Sequence, residues 1–372
     1  CCFRINSPGL RKKIMIPYIT NKVGFVLLTL FGVASLVFFL FTVLPGDPAQ
    51  MMLDQNEDSA QLEVVKAKFG FNLPLHQQYF YYLNDLSPLS IHSMKSKDFA
   101  HYDPAIYGGW KVFTTTNKVW VIKAPYFRTS YQKRGKPISE IIAETLPNTA
   151  VLAVSSMFIA IVLGIFLGVV ATLNKDRWLD RFLQFFSTLG MSVPSFFSAI
   201  LFSWFFGYVL NRYTNLNMTG SLYELDDLGE SYNIVWKNLI LPSFVLGIRP
   251  LAVIIQLMRS NLLDVLSQDY IRTAYSKGLS KYQVIFKHGL KNALNPVITA
   301  ISGWFASLLA GAIFVEYIFG WKGLGKEIVE ALNQLDIPVV MGAVLVIAFL
   351  FIIINIVVDF IYAYLDPRIK TT

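Results

Sequence analysis

The sequence predicts an all-α membrane protein that crosses the bilayer six times. Of its 372 residues, 54% are hydrophobic and only 15% are charged, and the mean hydropathy of +0.50 is too apolar for a water-soluble globular domain. Six long apolar runs hold at most two charges each, and each has the roughly 20 residues that a helix needs to cross about 30 Å of hydrocarbon. Basic residues gather in the short segments between alternate runs. That asymmetry is typical of a multi-pass membrane protein.

The first 22 residues carry five basic side chains and no acid, which predicts a cytoplasmic tail. Residues 23–44 have no charge, and 16 of these 22 are Leu, Val or Phe, so we expect the first span here. A secretory signal peptide is a poorer interpretation, because the run is too long and no small-residue cleavage motif follows it. Cys1 and Cys2 are the only cysteines, which excludes a disulfide framework within the folded body. Two interpretations of these cysteines stay open: they are sites of lipid attachment, or they have no role.

Residues 45–147 form the one large water-exposed segment, which we expect outside the cytoplasmic membrane. They carry eleven basic and ten acidic residues. The helical spacing of apolar residues predicts helices at 58–69 and 77–83. Alternating apolar residues from Val112 to Ile122 predict a β-hairpin.

Residues 148–363 hold the other five predicted spans, which form a helical core. Gly164 and Gly168, four residues apart, give one helix a small face that lets a second helix approach closely. Pro194 interrupts the third span, and because proline lacks a backbone N–H and collides with the preceding turn, we expect a kink or break there. Broken membrane helices often line pathways, although architecture alone also explains a kink. The predicted spans are 148–173, 182–210, 239–262, 292–315 and 338–363.

Arg249 lies near the centre of the fourth predicted span, next to Pro250. An arginine at that depth costs about 2.5–3.5 kcal/mol on insertion scales, so it normally faces a partner or a wet cavity. Three interpretations fit this residue: contact with the carboxylate of a transported solute, pairing with an acid of another subunit, or a position at a helix break.

Between the fourth and fifth spans lies a polar segment, residues 263–291, that we call the knob. It carries five basic residues against two acids, which predicts a cytoplasmic position. We expect one short helix over 268–277, closed by a left-handed Gly278, and a second that begins at Ser280 with Gln283 at capping-box spacing. Short segments on the predicted inner side hold fifteen Lys/Arg and the short external loops hold four, so both termini are predicted inside. The second cytoplasmic tail is then 364–372.

Arg272, Thr273 and Ala274, followed by Gly278, resemble the cytoplasmic loop of the dipeptide/oligopeptide and nickel permeases, which are membrane subunits of binding-protein-dependent ABC importers. The resemblance covers nearly the whole chain except 86–124, which we interpret as an insertion. Two interpretations fit this insertion: a structural cap over the external opening of the pathway, and a docking surface for the substrate-binding protein. Further matching motifs, in chain order, are LPGDP at 44–48, LPNT at 146–149, VPSF at 193–196, GLG at 323–325 and LDPRI at 365–369.

The resemblance implies the six-helix fold of type I ABC importer permeases, in the bacterial inner membrane with both termini cytoplasmic. It implies these partners: a second homologous permease subunit, two cytoplasmic ATPase subunits, an external substrate-binding protein, a peptide substrate and membrane lipid. ATP and Mg²⁺ are then used by the ATPase subunits, and no cofactor is bound by this chain. The residues expected to couple the chain to the ATPases are Arg272, Thr273, Ala274, Gly278 and Leu279.

Residues 320–326 match most of a phosphate-binding P-loop, but Glu327 stands where that loop needs Ser or Thr, and no soluble strand precedes it. The permeases usually have proline before GLG, and Lys322 stands there instead. Nucleic-acid binding is a poor interpretation, because the basic residues lie at membrane edges. No His/Cys spacing of a metal site and no nucleophile elbow occurs, so we predict neither a metal site nor catalysis.

The predicted function is that of a permease subunit that forms half of a translocation pathway for short peptides and depends on ATP hydrolysed by its partners. The same architecture importing nickel or another small solute is an open alternative, because those permeases share the knob pattern. A self-sufficient secondary transporter or channel fits less well, since it needs more ionisable groups in its spans than Arg249 and Asp359 supply.

Overall fold

The computed structural model describes residues 8–43, 49, 59–95, 98–133, 135–226 and 228–365. Two units are distinguished by their internal contacts: residues 1–141 with 331–352, and residues 142–330 with 353–372. The expectations for Cys1, Cys2, the LPGDP stretch and the residues after 365 concern segments outside the described ranges.

Within those ranges, five helices are long and apolar enough to cross a membrane. The predicted third span consists of two helical stretches, Trp178–Ser192 and Ser195–Val209, that meet at 112°, and the count is six if this bent pair is one span. The break at Pro194 is confirmed, and it follows from the missing N–H of proline. The five helices are Lys22–Thr42, Ile138–Leu173, Lys237–Leu266, Lys281–Phe319 and Ile337–Val358.

Three helices begin ten or more residues earlier in the chain than the predicted spans that they carry. The first runs over Pro8–Val43 and so takes in most of the predicted tail. The helix of the second span begins at Ile138, not near 148, and contains Pro147. A proline inside a helix removes only one backbone hydrogen bond, and the fully buried Ile138 helps to hold the first turn in place. The helix of the fifth span begins at Lys281 rather than near 292.

The first unit contains a small antiparallel sheet with strand order β1-β3-β2. The predicted hairpin is confirmed as β2 (Trp110–Thr114) and β3 (Lys118–Ile122), whereas β1 (Leu89–Ser93) was not predicted. Val119 and Val121 of β3 are fully buried on one face of this sheet. The helices of this unit outside the long spans are Ser59–Phe69, Leu75–Leu86 and Pro104–Tyr107.

An aromatic cluster joins three helices of the first unit. The Phe38 ring stacks on Tyr82 with centroids 5.3 Å apart and lies 5.2 Å from Tyr79. Met341 and Leu345, near the start of the Ile337–Leu365 helix, pack on the same cluster. The end of the first span is therefore held against the Leu75–Leu86 helix by ring contacts, which contribute beyond their buried area.

The second unit contains the bent span, the knob and most of the apolar helices. Its remaining elements are the π-helical segments Phe205–Val209 and Val284–Gly289, the helices Asn211–Thr214, Asp269–Ser276, Lys281–Gln283 and Leu290–Phe319, most of the helix Leu324–Asn333, and the hairpin of β4 (Tyr223–Leu225) and β5 (Tyr232–Ile234).

Close helix packing at the predicted glycines is confirmed. A Cβ added at Gly164 would lie 2.6 Å from Ile254 Cγ2, and one at Gly168 would lie 2.6 Å from Met258 Cβ. Ile254 and Met258 belong to the Lys237–Leu266 helix and are fully buried. The two helices therefore meet at a distance that only glycine permits.

A buried ion pair also links the bent span to the Lys237–Leu266 helix. Arg259 donates from Nε to Asp180 Oδ1 at 2.6 Å and from Nη2 to Asp180 Oδ2 at 2.7 Å. Asp180 is only 1% exposed. A bidentate pair of this kind fixes both position and orientation of the two helices.

Candidate functional site

The first helix of the knob, Asp269–Ser276, closes as the sequence predicts. Gly278 has a φ of +81°, a left-handed conformation that glycine adopts without a Cβ clash. Its N–H donates to the Tyr275 carbonyl at 2.9 Å, and the N–H of Leu279 donates to the Ala274 carbonyl at 3.4 Å. These two bonds form a Schellman motif, which satisfies the last helical carbonyls and fixes the direction in which the chain leaves the helix.

The second helix begins at Ser280 with the predicted capping box. The Ser280 hydroxyl accepts from the Gln283 N–H at 3.4 Å, and Gln283 Oε1 accepts from the Ser280 N–H at 3.0 Å. The helix then passes through the π-helical Val284–Gly289 into Leu290–Phe319. No loop therefore intervenes between the second knob helix and the fifth span.

A small apolar core holds the two knob helices together. Ile271 and Val284 are fully buried in it, and Ala274 packs beside them. Val265 and Leu266, the last residues of the fourth span, pack on the same core. The knob is therefore attached to the ends of two spans through one shared apolar core.

The structure divides the five predicted coupling residues between two faces of the knob. Ala274 is buried and Leu279 is half-buried, and both belong to the knob's own core. Arg272, Thr273 and Gly278 are exposed. Arg272 makes one ion pair, at 3.6 Å to a neighbouring exposed acid, and such surface pairs contribute little. Arg272, Thr273 and Gly278 are thus accessible to a partner protein. Ala274 and Leu279 instead support the knob surface from its core.

Four exposed aromatic side chains of the knob were missed by the sequence reasoning. Helical periodicity carried part of the signal: Ile271 and Ala274 mark the inward face of the first knob helix, and Tyr270 and Tyr275 are the residues just outside that pair. Exposed aromatic side chains are characteristic anchors of protein interfaces. These four are Tyr270 (44% exposed), Tyr275 (44%), Tyr282 (69%) and Phe286 (59%).

The break at Pro194 and Arg249 meet at a cavity of ≈ 60 Å³ in the second unit. Val193 and Ser195, on either side of Pro194, line it together with Arg249 and Trp304. The Arg249 side chain is exposed, and no hydrogen bond or ion pair joins it to another residue in the described part of the chain. An exposed arginine in a membrane-length helix needs water or an anionic partner.

The glycine-rich loop at 320–326 binds a carboxylate of its own chain. The Gly325 N–H donates to Glu316 Oε2 at 2.7 Å, and the Lys326 N–H donates to the same oxygen at 3.2 Å. A Cβ at Gly323 would collide with this carboxylate, so glycine is required there. The backbone amides that bind phosphate in a P-loop here bind the carboxylate of the fully buried Glu316. The sequence reasoning missed this contact.

The LPNT motif lies against the same loop. Asn148 Nδ2 donates to the Lys322 carbonyl at 2.7 Å, and Trp321 Nε1 donates to the Asn148 carbonyl at 3.0 Å. The Leu324 N–H donates to Thr149 Oγ1 at 2.8 Å. Two motifs that are far apart in the sequence therefore form one hydrogen-bonded element.

Comparison with known protein families agrees with this architecture. Residues 160–371, which include the knob and the glycine-rich loop, match the family described as "Binding-protein-dependent transport system inner membrane component". Residues 15–96 match the model for the N-terminal part of such membrane components. The chain belongs to this permease family. The family membership predicted from the knob motif is thus confirmed, and the protein is a multi-pass membrane component of a binding-protein-dependent transport system.

Named relatives match this permease along nearly its whole length. The dipeptide transport system permease protein of Alkalihalophilus pseudofirmus is 32% identical over 369 residues, which cover 96% of this chain and 100% of that protein. The oligopeptide transport system permease protein of Bacillus subtilis is 33% identical over 362 residues, with 96% and 100% covered. The glutathione transport system permease protein of Salmonella typhimurium is 32% identical over 356 residues, with 96% and 99% covered. Among solved structures, an inward-facing methionine ABC transporter aligns with 62% of this chain and 98% of its own, at a TM-score of 0.47 and 16% identity.

Proposed function

We propose that this permease is one of two homologous membrane subunits of an ATP-driven importer and forms half of a translocation pathway for short peptides. The observation that carries the proposal is the knob, an exposed basic and aromatic surface that one apolar core attaches to two spans. Relatives named for dipeptide and oligopeptide transport match this chain over their whole length, which supports peptides as the cargo.

In this proposal the knob fits a groove on one of two cytoplasmic ATPase subunits. When ATP draws the two ATPases together, the knob follows, because Ile271 and Val284 tie its helices into one core. The displacement passes to both attached spans and changes which side of the membrane the pathway faces. ATP and Mg²⁺ stay on the ATPases, and this chain contributes no nucleotide site and no catalytic group.

Charge asymmetry supports the orientation that the proposal needs. The knob and both termini carry the basic residues that favour the cytoplasmic side of a bacterial inner membrane. The sheet-containing region of the first unit then lies outside, where a substrate-binding protein delivers the peptide. Arg249 and the break at Pro194 face the pathway or the second permease subunit, and an anionic group of the peptide or of that subunit pairs with Arg249.

The test removes the two most exposed of the four aromatic side chains of the knob and leaves its core intact. We expect Tyr282→Ser and Phe286→Ser to weaken association with the ATPases by about 5- to 30-fold each, the range for truncating an interface anchor. The assay is co-purification of the ATPases with the assembled transporter, followed by peptide uptake into proteoliposomes that contain the binding protein. Mass spectrometry of the purified assembly identifies the partner subunits and the bound solute.

Tyr213→Ser is the matched control, because Tyr213 is 83% exposed but lies outside the knob. It should leave ATPase association and uptake unchanged. Full association and uptake in both knob variants would overturn the proposed coupling surface. A bound solute without peptide bonds would overturn the proposed cargo.

A further inference from the structure

The first unit contains a cavity that the transport proposal does not use. Its volume is ≈ 330 Å³, which lies at the lower end of the range for small-molecule sites, about 300–1,000 Å³. Most of its wall is aromatic or aliphatic. Characteristic wall residues are Phe38, Phe69, Phe71, Phe99, Tyr131 and Met341.

Ring contacts keep these walls in place. Phe69 and Tyr131 have centroids 4.9 Å apart in an edge-on arrangement, and Phe71 lies 5.6 Å from Tyr131. On another wall, a Cβ at Gly70 would lie 2.9 Å from the Phe99 ring, so the backbone is packed directly against that side chain. The cavity is therefore bounded by close-packed side chains rather than by loosely packed surface loops.

One side of the cavity presents hydrogen-bond donors without acceptors. Arg128 donates from Nε to Asp85 Oδ2 at 2.9 Å, and the Asp85 side chain is 9% exposed. Arg128 Nη2 and the Tyr82 hydroxyl are buried, and neither has a hydrogen-bond partner in the described part of the chain. Burial raises the pKa of Tyr82, so its hydroxyl stays protonated and able to donate. An unsatisfied buried donor is costly, so an acceptor is expected at this place.

The backbone at Arg128 gives a second reason to regard this arrangement as built for a ligand. Arg128 has a φ of +66°, in the left-handed region that disfavours side chains with a Cβ. Its guanidinium carbon lies 6.0 Å from the centroid of the Phe99 ring on the cavity wall. Strained backbone positions of this kind are concentrated at functional sites, where the surrounding structure holds them.

We propose that this cavity binds a small amphipathic anion, an aromatic or aliphatic group that ends in a carboxylate or phosphate, with its oxygen at Arg128 Nη2 and the Tyr82 hydroxyl. The apolar walls accept the tail, and the two free donors select an acceptor over a cation. Asp85 binds the Nε of Arg128, which leaves Nη2 of that residue free to donate to the anion.

An anion of this kind can reach the cavity from two sources, water or the bilayer. The bilayer is a source because the cavity touches Thr42 and Ile337, which lie at the ends of two membrane-length helices. A free carboxylate can enter from water, and a phospholipid can enter from the bilayer with its phosphate at Arg128. Both place an anionic oxygen at the same donors.

The test uses the full-length chain in dodecyl maltoside, a detergent without carboxylate or phosphate, and two probes of equal size. We expect 4-phenylbutanoate to bind saturably, and the neutral 4-phenylbutanamide to bind at least about tenfold more weakly, because a charge-assisted hydrogen bond is lost. Affinities come from saturation-transfer NMR titrations. Equal affinity of the two probes, the result for a cavity that holds only water, would overturn the proposal.

Variants separate ligand binding from folding. Tyr82→Phe removes only an oxygen that has no partner, so the unfolding midpoint should stay constant while the affinity for 4-phenylbutanoate falls about two- to tenfold. Arg128→Gln should abolish the preference for the anion, whereas Arg177→Gln, an exposed arginine elsewhere, should keep it. Leu73→Trp fills the cavity and should block both probes. Unchanged binding in Leu73→Trp or in Tyr82→Phe would contradict the assignment.

The source of the natural ligand follows from one more comparison. If a phospholipid occupies the site, 4-phenylbutanoate should bind about tenfold more weakly in phospholipid nanodiscs than in detergent, as expected for a competitor. If a free carboxylate is the ligand, the affinity should be the same in both. Either result requires the Arg128-dependent preference for the anion that the proposal predicts.

Discussion

Gly278 offers the sharpest test of the knob as a coupling element, because its replacement changes backbone strain and almost nothing else. The residue has a φ of +81°, and no heavy atom lies within 4 Å of where a Cβ would be placed. Gly278→Ala therefore creates no clash within this chain. The expected cost is that of a left-handed residue with a Cβ, about 1–2 kcal/mol.

That cost acts on the Schellman motif which sets the angle between the two knob helices. A strain of 1–2 kcal/mol shifts the balance between the native and rearranged knob by about 5- to 30-fold. Asparagine tolerates the left-handed region better than alanine, although it is larger. Strain therefore predicts that Gly278→Ala impairs coupling more than Gly278→Asn, whereas a clash with the bound ATPase predicts the opposite order.

The assay is peptide-stimulated ATP hydrolysis and peptide uptake by the reconstituted transporter, together with ATPase co-purification. Gly229→Ala is the matched control, since Gly229 has a φ of +73°, equal free space and a position outside the knob. It should show the same local strain and normal coupling. Wild-type coupling in Gly278→Ala, or a larger defect in Gly278→Asn, would refute the reasoning.

Three further predictions concern stability. Gly168→Leu should lower the stability of the detergent-solubilised chain by about 1–3 kcal/mol, because the new side chain overlaps Met258 across the helix contact; the thermal midpoint measures this. Arg259→Ala should lower the same midpoint more strongly, by about 3–5 kcal/mol, because it leaves the buried Asp180 carboxylate without its cation. Burial lowers the pKa of His92 to about 4, so the fold favours the neutral imidazole. The resulting contribution to the free energy of unfolding, up to about 3 kcal/mol, is complete above pH 6.5 and is lost as the pH falls from 6.5 towards 4. Urea unfolding followed by tryptophan fluorescence measures this pH dependence.

Each of these predictions has a control. Gly24→Leu should be neutral, since nothing lies within 4 Å of a Cβ at Gly24. The double variant Asp180→Asn with Arg259→Gln should recover part of the loss in Arg259→Ala, and no recovery would show that packing, rather than charge, causes the defect. His92→Gln should remove the pH dependence between 4 and 6.5. A pH profile that survives this substitution would assign the titration to another group.

Local caps were readable from the sequence because they depend on residues three to five positions apart. The left-handed Gly278 and the Ser280–Gln283 capping box satisfy backbone groups within their own turn, so the sequence carries the full information. The same holds for the break at Pro194, which follows from a missing N–H. The faces of the knob were only partly readable, since burial of Ala274 depends on Val284 from the second helix.

The sequence by itself determined the membrane character of the chain, the positions of its apolar spans and its family, because transfer into a bilayer is a sum of contributions along a helix. Only the tertiary structure decided which distant groups meet. Glu316 enters the glycine loop, Arg259 pairs with Asp180 across 79 positions, and Arg128 faces a cavity beside Tyr82. These contacts depend on how helices and loops pack in three dimensions, and a linear pattern of apolar and charged residues does not encode that packing in any local signal.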